Sequence, residues 1–436
     1  MATKDKITRR RFIGNIGGSA LAALGIPYVI PSFAAGFGDE VTPSEKITLG
    51  FIGVGMQGRF LLSQILQRFD CQVVALCDVD KQKLERGLEM VRENYAEQRL
   101  GCTGYHDFRE LLARDDIDAV VIAAPEHWHG VMAIEACRRG MDVYCEKPLA
   151  LSIDEARQIV NAARRYERVF QTGSMQRSDY KFRRACELVR NGYIGEVKNI
   201  RVGIKTSSFP MYPVACDLPA EPTPSELDWD MWLGPAQWRP YNSRIAPPID
   251  ARGWPHWRDY EEYAGGIMTD WGAHHFDIAQ WGLGMDESGP VEVYPENGKD
   301  IRQLTYRYSN GITMVRDDSM NYKAIVFTGT RGEVEVSREF LNTRPETLTR
   351  LRFGSSDTRL YESDDHYGDW LDCIRSRQRP ICDVETGCRS LTVCHLGIIA
   401  HRLGRPLKWD PVKERFIGDE EANRLLSRTM RSPWRV

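Results

Sequence analysis

The chain has 436 residues, 42% of them hydrophobic and 27% charged, with a formal net charge of −3. That is length enough for two domains and a sizeable core. The near-balanced charge, spread along the chain without long single-sign runs, argues against a nucleic-acid binder, and no apolar span after the N-terminal segment is long enough to cross a bilayer.

The N-terminus has its own texture. Lys4, Lys6, Arg9, Arg10 and Arg11 precede Phe12 and Ile13, and a weakly apolar, Gly- and Ala-rich stretch runs from Ile16 to Ile30. Ser32, Phe33 and Ala34 form a small-x-small cleavage pattern. Thr8 to Phe12 resembles the twin-arginine export signal. The expectation is a signal peptide over residues 1–34, a mature chain starting near Ala35, a periplasmic location and no membrane contact after cleavage. An uncut anchor and a disordered basic start are the alternatives. The 11 cysteines are odd in number. Cys77, Cys137, Cys145 and Cys394 sit in apolar runs as small hydrophobes do, and no pair has zinc-ribbon spacing. No essential disulfide and no metal are expected.

From residue 46 to residue 172 strands and helices alternate. Ile47–Ile52 is an apolar strand, followed by Gly53, Gly55 and Gly58 and then by Phe60, Leu61, Leu62, Ile65, Leu66 and Phe69 at helical recurrence. A second strand, Val73–Leu76, leads to Asp78, about 20 residues past Gly58. Gly53 permits the tight turn, Gly55 lets backbone approach a pyrophosphate, and Gly58 lets helix and strand pack closely. The helix N-terminus offers free N–H groups to phosphates. Asp78 would accept from the ribose hydroxyls and repel a 2′-phosphate, and Val79 brings no compensating charge, so NAD is favoured over NADP. Further on come a strand at 119–123, a helix at 129–139 stopped by Gly140, a strand at 142–145, a helix opened by the Ser152/Glu155 capping box, and a strand at 169–172. This alternation predicts a parallel sheet covered on both faces.

After about residue 174 the pattern changes. A helix is predicted over 181–190 and a long strand over 197–205. Residues 206–262 are irregular and rich in Pro and Trp, a length of loop that is usually functional. Strands are predicted at 302–308, 312–315, 324–328 and 333–338 at hairpin spacing, then helices at 366–377, 385–403 and 419–430. The predicted fold class is α/β: an N-terminal Rossmann doubly wound parallel sheet over 46–172, plus a C-terminal α+β domain over 173–436 with a large, mostly antiparallel open sheet and the 206–262 insert.

Ligands of open parallel sheets sit beyond the carboxyl ends of the strands. Three segments end there: the Gly53 loop, Pro125 to His129, and Glu146-Lys147-Pro148. Lys147 could stabilise a substrate alkoxide, or be half of a solvated loop pair. Asp270 and His274 are four apart in a predicted helix starting just after Gly272, so they could meet on one face, the carboxylate raising the imidazole's basicity. Satisfied His residues beside a capping Asp, or a metal held by Asp270, His274 and Asp277, compete with that reading. Trp257, Arg258, Asp259 and Tyr260 offer stacking and hydrogen bonds suited to a polyol or glycoside, or simple surface packing.

Gly53-x-Gly55-x-x-Gly58, Glu146-Lys147-Pro148, and Gly265-Gly266 followed by Asp270-x-Gly272-x-His274-x-x-Asp277 together resemble the Gfo/Idh/MocA oxidoreductases, over nearly everything after residue 45. The insert motif Leu227 to Pro235 resembles an exported branch of that family. The resemblance implies NAD as cofactor and a second domain whose open sheet often forms the oligomer interface, hence a homo-oligomer (dimer or tetramer). It implies Lys147 as an essential substrate contact, His274 as proton acceptor, and Asp270 as its partner or a substrate ligand. The candidate catalytic set is Lys147, His274 and Asp270. The candidate cofactor set is Gly53, Gly55, Met56, Gln57, Gly58, Asp78, Pro125, His129, Glu146 and Lys147. The candidate substrate set is Lys147, Gln176, Arg177, Trp257, Arg258, Asp270 and His274.

The leading expectation is a small-molecule carbohydrate substrate, a sugar, polyol or glycoside, exchanging hydride with tightly bound NAD. Redox-neutral glycoside cleavage is the alternative, and needs an extra base, with His129 and Tyr263 as the residues considered. A sugar-binding protein on a retired dehydrogenase scaffold is the non-enzymatic reading.

Overall fold

Six apolar strands pair in parallel: β1 (Ile47–Ile52), β2 (Cys71–Cys77), β3 (Thr103–Tyr105), β4 (Ala119–Ile122), β5 (Asp142–Cys145) and β6 (Phe170–Thr172). Their order is β3-β2-β1-β4-β5-β6, which reverses direction between β1 and β4. Alternate residues serve opposite faces, as the pleat requires. Ala119 and Val121 join one core cluster and Val120 and Ile122 the other. The first face is covered by α1 (Met56–Ile65) and α2 (Lys81–Asn94), the second by α3 (Phe108–Leu112), α4 (Glu126–Arg138) and α5 (Ile153–Arg165). The computed structural model describes residues 45–96, 100–204, 209–320 and 322–436. The expected export segment, residues 1–34, lies outside them.

The second sheet runs β13-β12-β11-β7-β10-β9-β8-β14-β15. Its strands are β7 (Val197–Val202), β8 (Glu292–Tyr294), β9 (Thr305–Arg307), β10 (Thr313–Arg316), β11 (Ile325–Gly329), β12 (Glu333–Val336), β13 (Leu341–Arg344), β14 (Leu407–Asp410) and β15 (Arg415–Phe416). Only β7 and β10 pair in parallel; the other neighbours are antiparallel. One face packs on α6 (Tyr180–Arg190), on α9 (Gly272–Leu283), which follows the short α8 (Ile267–Asp270), and on α11 (Val384–Leu403), around Phe182, Phe276, Ile278 and Leu396. The opposite face carries Asn199, Arg201, Glu333 and Glu335, and beside them a small apolar cluster of Met320, Ala324, Val326 and Phe340.

Both sheets match the predicted fold class, and three local differences have physical reasons. Helix α4 begins at Glu126 rather than residue 129, because Pro125 at φ −62° sets the N-cap and needs no amide partner. The helix predicted over 419–430 shrinks to α12 (Glu420–Asn423) and a 3₁₀ turn at Arg424–Leu426. Beyond it Arg428 reaches Glu155 and the His127 carbonyl, Arg431 reaches Asp230, and Trp434 packs edge-on to Trp128 at 4.7 Å. Strands β3, β8, β13, β14 and β15 have two to four residues each, too short to show a period-2 pattern.

The halves are interleaved through their cores. Trp370 and Leu371 of α10 (His366–Ser376) pack on one face of the parallel sheet, and Val384, Cys388 and Leu391 of α11 on the other. The irregular insert builds a small core of its own from Leu227, Trp229, Trp232, Leu233, Tyr241, Ile245 and Tyr263, with one short helix, α7 (Trp229–Leu233).

Candidate active site

A cavity of about 970 Å³ opens where the parallel strand order reverses, at the carboxyl ends of β1, β4 and β5. Its wall includes Gly53 and Gly55, Ala123 to Glu126, and Glu146 to Pro148, so all three segments singled out in the sequence meet there.

At one end lies a dinucleotide cradle. Gly53 adopts φ +88°, and its N–H donates to the Cys77 carbonyl at 2.8 Å, closing the turn. A Cβ on Gly58 would stand 2.0 Å from the Gly53 oxygen, so that glycine permits the helix to approach the strand and does not face the cavity. A Cβ on Gly55 would meet nothing within 4 Å, and α1 begins there with no side-chain cap. Its first N–H groups therefore point into open space, as a phosphate site requires. Asp78 lines the same end and accepts from Val54 N (2.8 Å) and Asp80 N (2.9 Å). Burial raises its pKa, with Lys83 and these two amides opposing. Open cradle, bare helix end and positioned acid fit a dinucleotide. Met56, Gln57 and Pro125 line the cavity, and Gln57 donates to Glu146 Oε1 at 3.0 Å. The two ring nitrogens of His129 lie 2.8 Å from the carbonyl oxygens of Pro148 and Ala124, so this residue ties two loops together.

The insert covers this end. Lys81 N donates to Glu226 O and Asp228 N to Val79 O (3.0 Å each), and Lys83 Nζ donates to Pro247 O at 2.9 Å. Ile245 to Ile249 then form part of the cavity wall facing the Asp78 loop.

At the other end Lys147 Nζ donates to Asp270 Oδ1 at 2.8 Å and to the Asp270 carbonyl at 3.0 Å. Arg258 Nε lies 3.8 Å from the same carboxylate oxygen. Burial works to raise the Asp270 carboxyl, but the charges of Lys147 and Arg258 outweigh it and hold it below its ordinary value. The Arg258 guanidinium stacks over the rings of Trp257 (4.2 Å) and Trp254 (4.9 Å), so one face of Trp257 is already occupied.

The predicted Asp270–His274 pair does not form. Helix α8 ends at Asp270 and α9 starts at Gly272, with Trp271 as the junction, so the two side chains do not share one continuous helix face. Asp270 turns to Lys147 instead. His274 is buried, and its Nδ1 has no partner among the described residues. Burial, then the positive charges of Lys147 and Arg338, drive its pKa well below 6.5, so it is neutral at physiological pH. Gln176, in the amide orientation its neighbours select, donates to the His274 carbonyl and accepts from Arg338 Nε, both at 3.1 Å.

Arg177, predicted as a substrate contact, is not part of the wall. It is buried in a bidentate pair with Asp277 (2.8 Å on both bonds) and also binds Asp286 at 2.6 Å. Ser390 Oγ adds a bond to Asp277, which is thereby consumed as a structural acid. Among the described residues no group of three or more His, Cys, Asp or Glu could hold a metal. Tyr263, considered as an extra base, lies off the wall, packed against His127 and Trp232.

Glu126 was not anticipated. It is buried at the start of α4, lines the cavity, and accepts from Gly265 N and Thr269 Oγ1, each at 3.3 Å. Burial first, and the Asp270 charge second, push its pKa up to about 8. Its signal in the sequence was an acid just past a buried strand, the same pattern that marked Glu146.

Residues 47–174 match the NAD-binding Rossmann fold of the Gfo/Idh/MocA oxidoreductase family, and residues 178–436 match that family's C-terminal alpha/beta domain. A glycosyl hydrolase family 109 protein of Shewanella pealeana is 31% identical over 207 residues, 44% of this chain and 44% of its own length. The match thus spans less than half the length of such curated relatives. Among solved structures, the WlbA dehydrogenase of Bordetella pertussis, in complex with NADH and UDP-GlcNAcA, superposes with a TM-score of 0.58 at 19% identity, over 84% of this chain and 98% of that one. An aldose-aldose oxidoreductase of Caulobacter crescentus gives 0.56 at 19% identity, over 83% and 99%. At these identities the likeness is one of fold.

Proposed function

The chain belongs to the Gfo/Idh/MocA oxidoreductase family, and from that premise we propose that it moves hydride between a CH–OH carbon of a sugar, polyol or glycoside and a tightly held NAD. The observation that carries this is the convergence of the glycine cradle, Lys147, Asp270 and His274 on one cavity. When bound, NAD supplies a hydride acceptor and, in the reverse direction, a hydride donor.

The chain's own residues supply the rest. Lys147 spends two donors on Asp270, leaving its third N–H for a substrate hydroxyl. Asp270 holds the ammonium in place, and the ammonium stabilises the oxyanion as it develops. Neutral His274 would take the hydroxyl proton while the carbon gave up its hydride to the NAD that the Gly53–Gly55 cradle and Asp78 would hold, leaving a carbon–oxygen double bond. The insert, pinned beside the Asp78 loop, keeps water from the cofactor end and slows its escape. Export through the residue 1–34 signal would accord with such retention, since a cofactor outside the cytoplasm must be recycled in place.

Redox-neutral glycoside cleavage is the second reading, favoured by the family 109 relative. Oxidation beside the anomeric carbon acidifies a C–H, a base removes that proton, the aglycone leaves, water adds, and the hydride returns. His129 is engaged by two carbonyl oxygens and Tyr263 is off the wall; Glu126 is on the wall, but its pKa of about 8 keeps it protonated at neutral pH, so it would serve as that base only once ionised at higher pH. Product analysis separates the readings: an oxidised sugar supports the first, a released aglycone with no net redox change the second. Lys147→Ala should lose turnover by roughly a hundredfold or more while carbohydrate affinity is retained. His274→Ala should lose the acid limb of the rate–pH profile, which burial and the charges of Lys147 and Arg338 are expected to shift to lower pH than an ordinary imidazole would give. Unchanged turnover in Lys147→Ala would refute the assignment.

A further inference from the structure

Two more cations stand on the wall beside the reacting end. Lys323 lies two residues before β11 and Arg338 two residues after β12; Ile325 and Val336 are register partners, so the antiparallel pairing brings both to one end of the sheet. Lys323 Nζ sits 3.8 Å from the centre of the Trp271 ring and the Arg338 guanidinium 4.7 Å from it. Trp271 in turn meets His274 edge-on at 5.7 Å. Among the described residues neither cation forms an ion pair; Arg338 spends its Nε on Gln176, and Lys323 rests on the ring.

The ion pairing here is incomplete. Lys147 and Arg258 share the carboxylate of Asp270, and Lys323 and Arg338 stand beside them, feeling the charges of Asp270 and Glu339 but with no acid at ion-pair distance among the described residues. Of the other acids on the wall, Asp78 lies at the cofactor end, Glu146 accepts from the uncharged Gln57 and acts on Lys147 and Arg258, Asp179 pairs with Lys181 at 3.0 Å, and Glu126, with a pKa of about 8, is protonated at neutral pH. Burial lowers the pKa of both Lys323 and Arg338, with the charges of Asp270 and Glu339 opposing. Like charges held together in a cavity cost stability unless a ligand's negative charge offsets them.

Resting on the reading of this cavity as a carbohydrate site, we propose that its substrate is an acidic sugar, whose carboxylate or sulfate ester docks on Lys323 and Arg338 beside Trp271 while the reacting hydroxyl meets Lys147 and His274. A neutral sugar would leave both cations without an ion-pair partner.

The test is calorimetric titration of the purified protein with three probes: methyl glucuronide, a sulfated methyl glucoside and neutral methyl glucoside. At least one acidic probe should bind roughly tenfold or more tightly than the neutral one, as charge-assisted hydrogen bonds allow. The preference should fall with added salt. In the Lys323→Gln/Arg338→Gln double variant it should vanish. Lys323→Gln alone, whose side chain rests only on the Trp271 ring, should lose part of it. The relative affinities of the two acidic probes tell carboxylate from sulfate. Equal or weaker binding of both acidic probes would overturn the proposal and leave the oxidoreductase reading standing. Failure of all three to bind protein that retains NAD would overturn both.

Discussion

Lys147 and Asp270 are 123 positions apart in the chain and 2.8 Å apart in the fold. Each was legible alone: Lys147 as a charge just past a buried strand, Asp270 as part of a spaced Asp/Gly/His/Asp pattern. Their partnership was not, because helical spacing suggested Asp270 with His274, and the junction at Trp271 breaks that spacing. Arg177 was misplaced because nothing local shows that Asp277 and Asp286 will bury it. Glu126 carries the clearest residue-scale prediction. Its ordinary value of 4.5 rises to about 8 in the fold, so between those values the folded protein keeps a proton that the unfolded chain releases. Stability should therefore fall as pH rises through that window, by up to about 1.4 kcal/mol per pH unit, and level off above it. Glu126→Gln, which cannot ionise yet still accepts from Gly265 and Thr269, should melt like wild type near pH 5 and be more stable at pH 8 by roughly 1 kcal/mol or more. Parallel stability–pH curves would show that Glu126 does not titrate in this way.

At the scale of elements, the strand–glycine loop–helix unit shows how close residues can do different work. Gly55 borders open space and Gly58 touches backbone, with a hypothetical Cβ 2.0 Å from the Gly53 oxygen. Gly58→Ala should cost several kcal/mol, since neither strand nor helix can yield without moving the sheet. Gly55→Ala should leave the melting temperature within a degree or two, because nothing meets the new methyl, yet weaken NAD binding roughly tenfold or more by crowding the pyrophosphate. Equal destabilisation by both would refute this division. The division was readable from the motif alone, and the charged helix α2 carries its own signal, Leu84, Leu88 and Val91 at helical recurrence, which pack on the sheet. The insert was readable as functional from its length and tryptophans, but its small core and its docking beside Asp78 depend on contacts that no local pattern carries.

Over the whole molecule, the predicted boundary near residue 172 separates two sheets but not two cores. Trp370 and Leu371 complete one face of the parallel sheet, Val384 and Leu391 the other, and Trp434 packs on Trp128. Residues 45–436 form one compact unit. A single cooperative calorimetric transition is expected; two separable transitions would show that the halves fold independently. The cavity belongs to this interleaved whole, with the cradle from the first half, Asp270 and His274 from the second, and the insert over the cofactor end. The most direct measurement is to denature the purified protein, before and after incubation with NAD and removal of the excess, and to quantify the released nucleotide by mass spectrometry. The account predicts close to one NAD or NADH per chain, already present in the untreated protein because the insert retains it. Protein that carries no nucleotide and keeps none after incubation would contradict it.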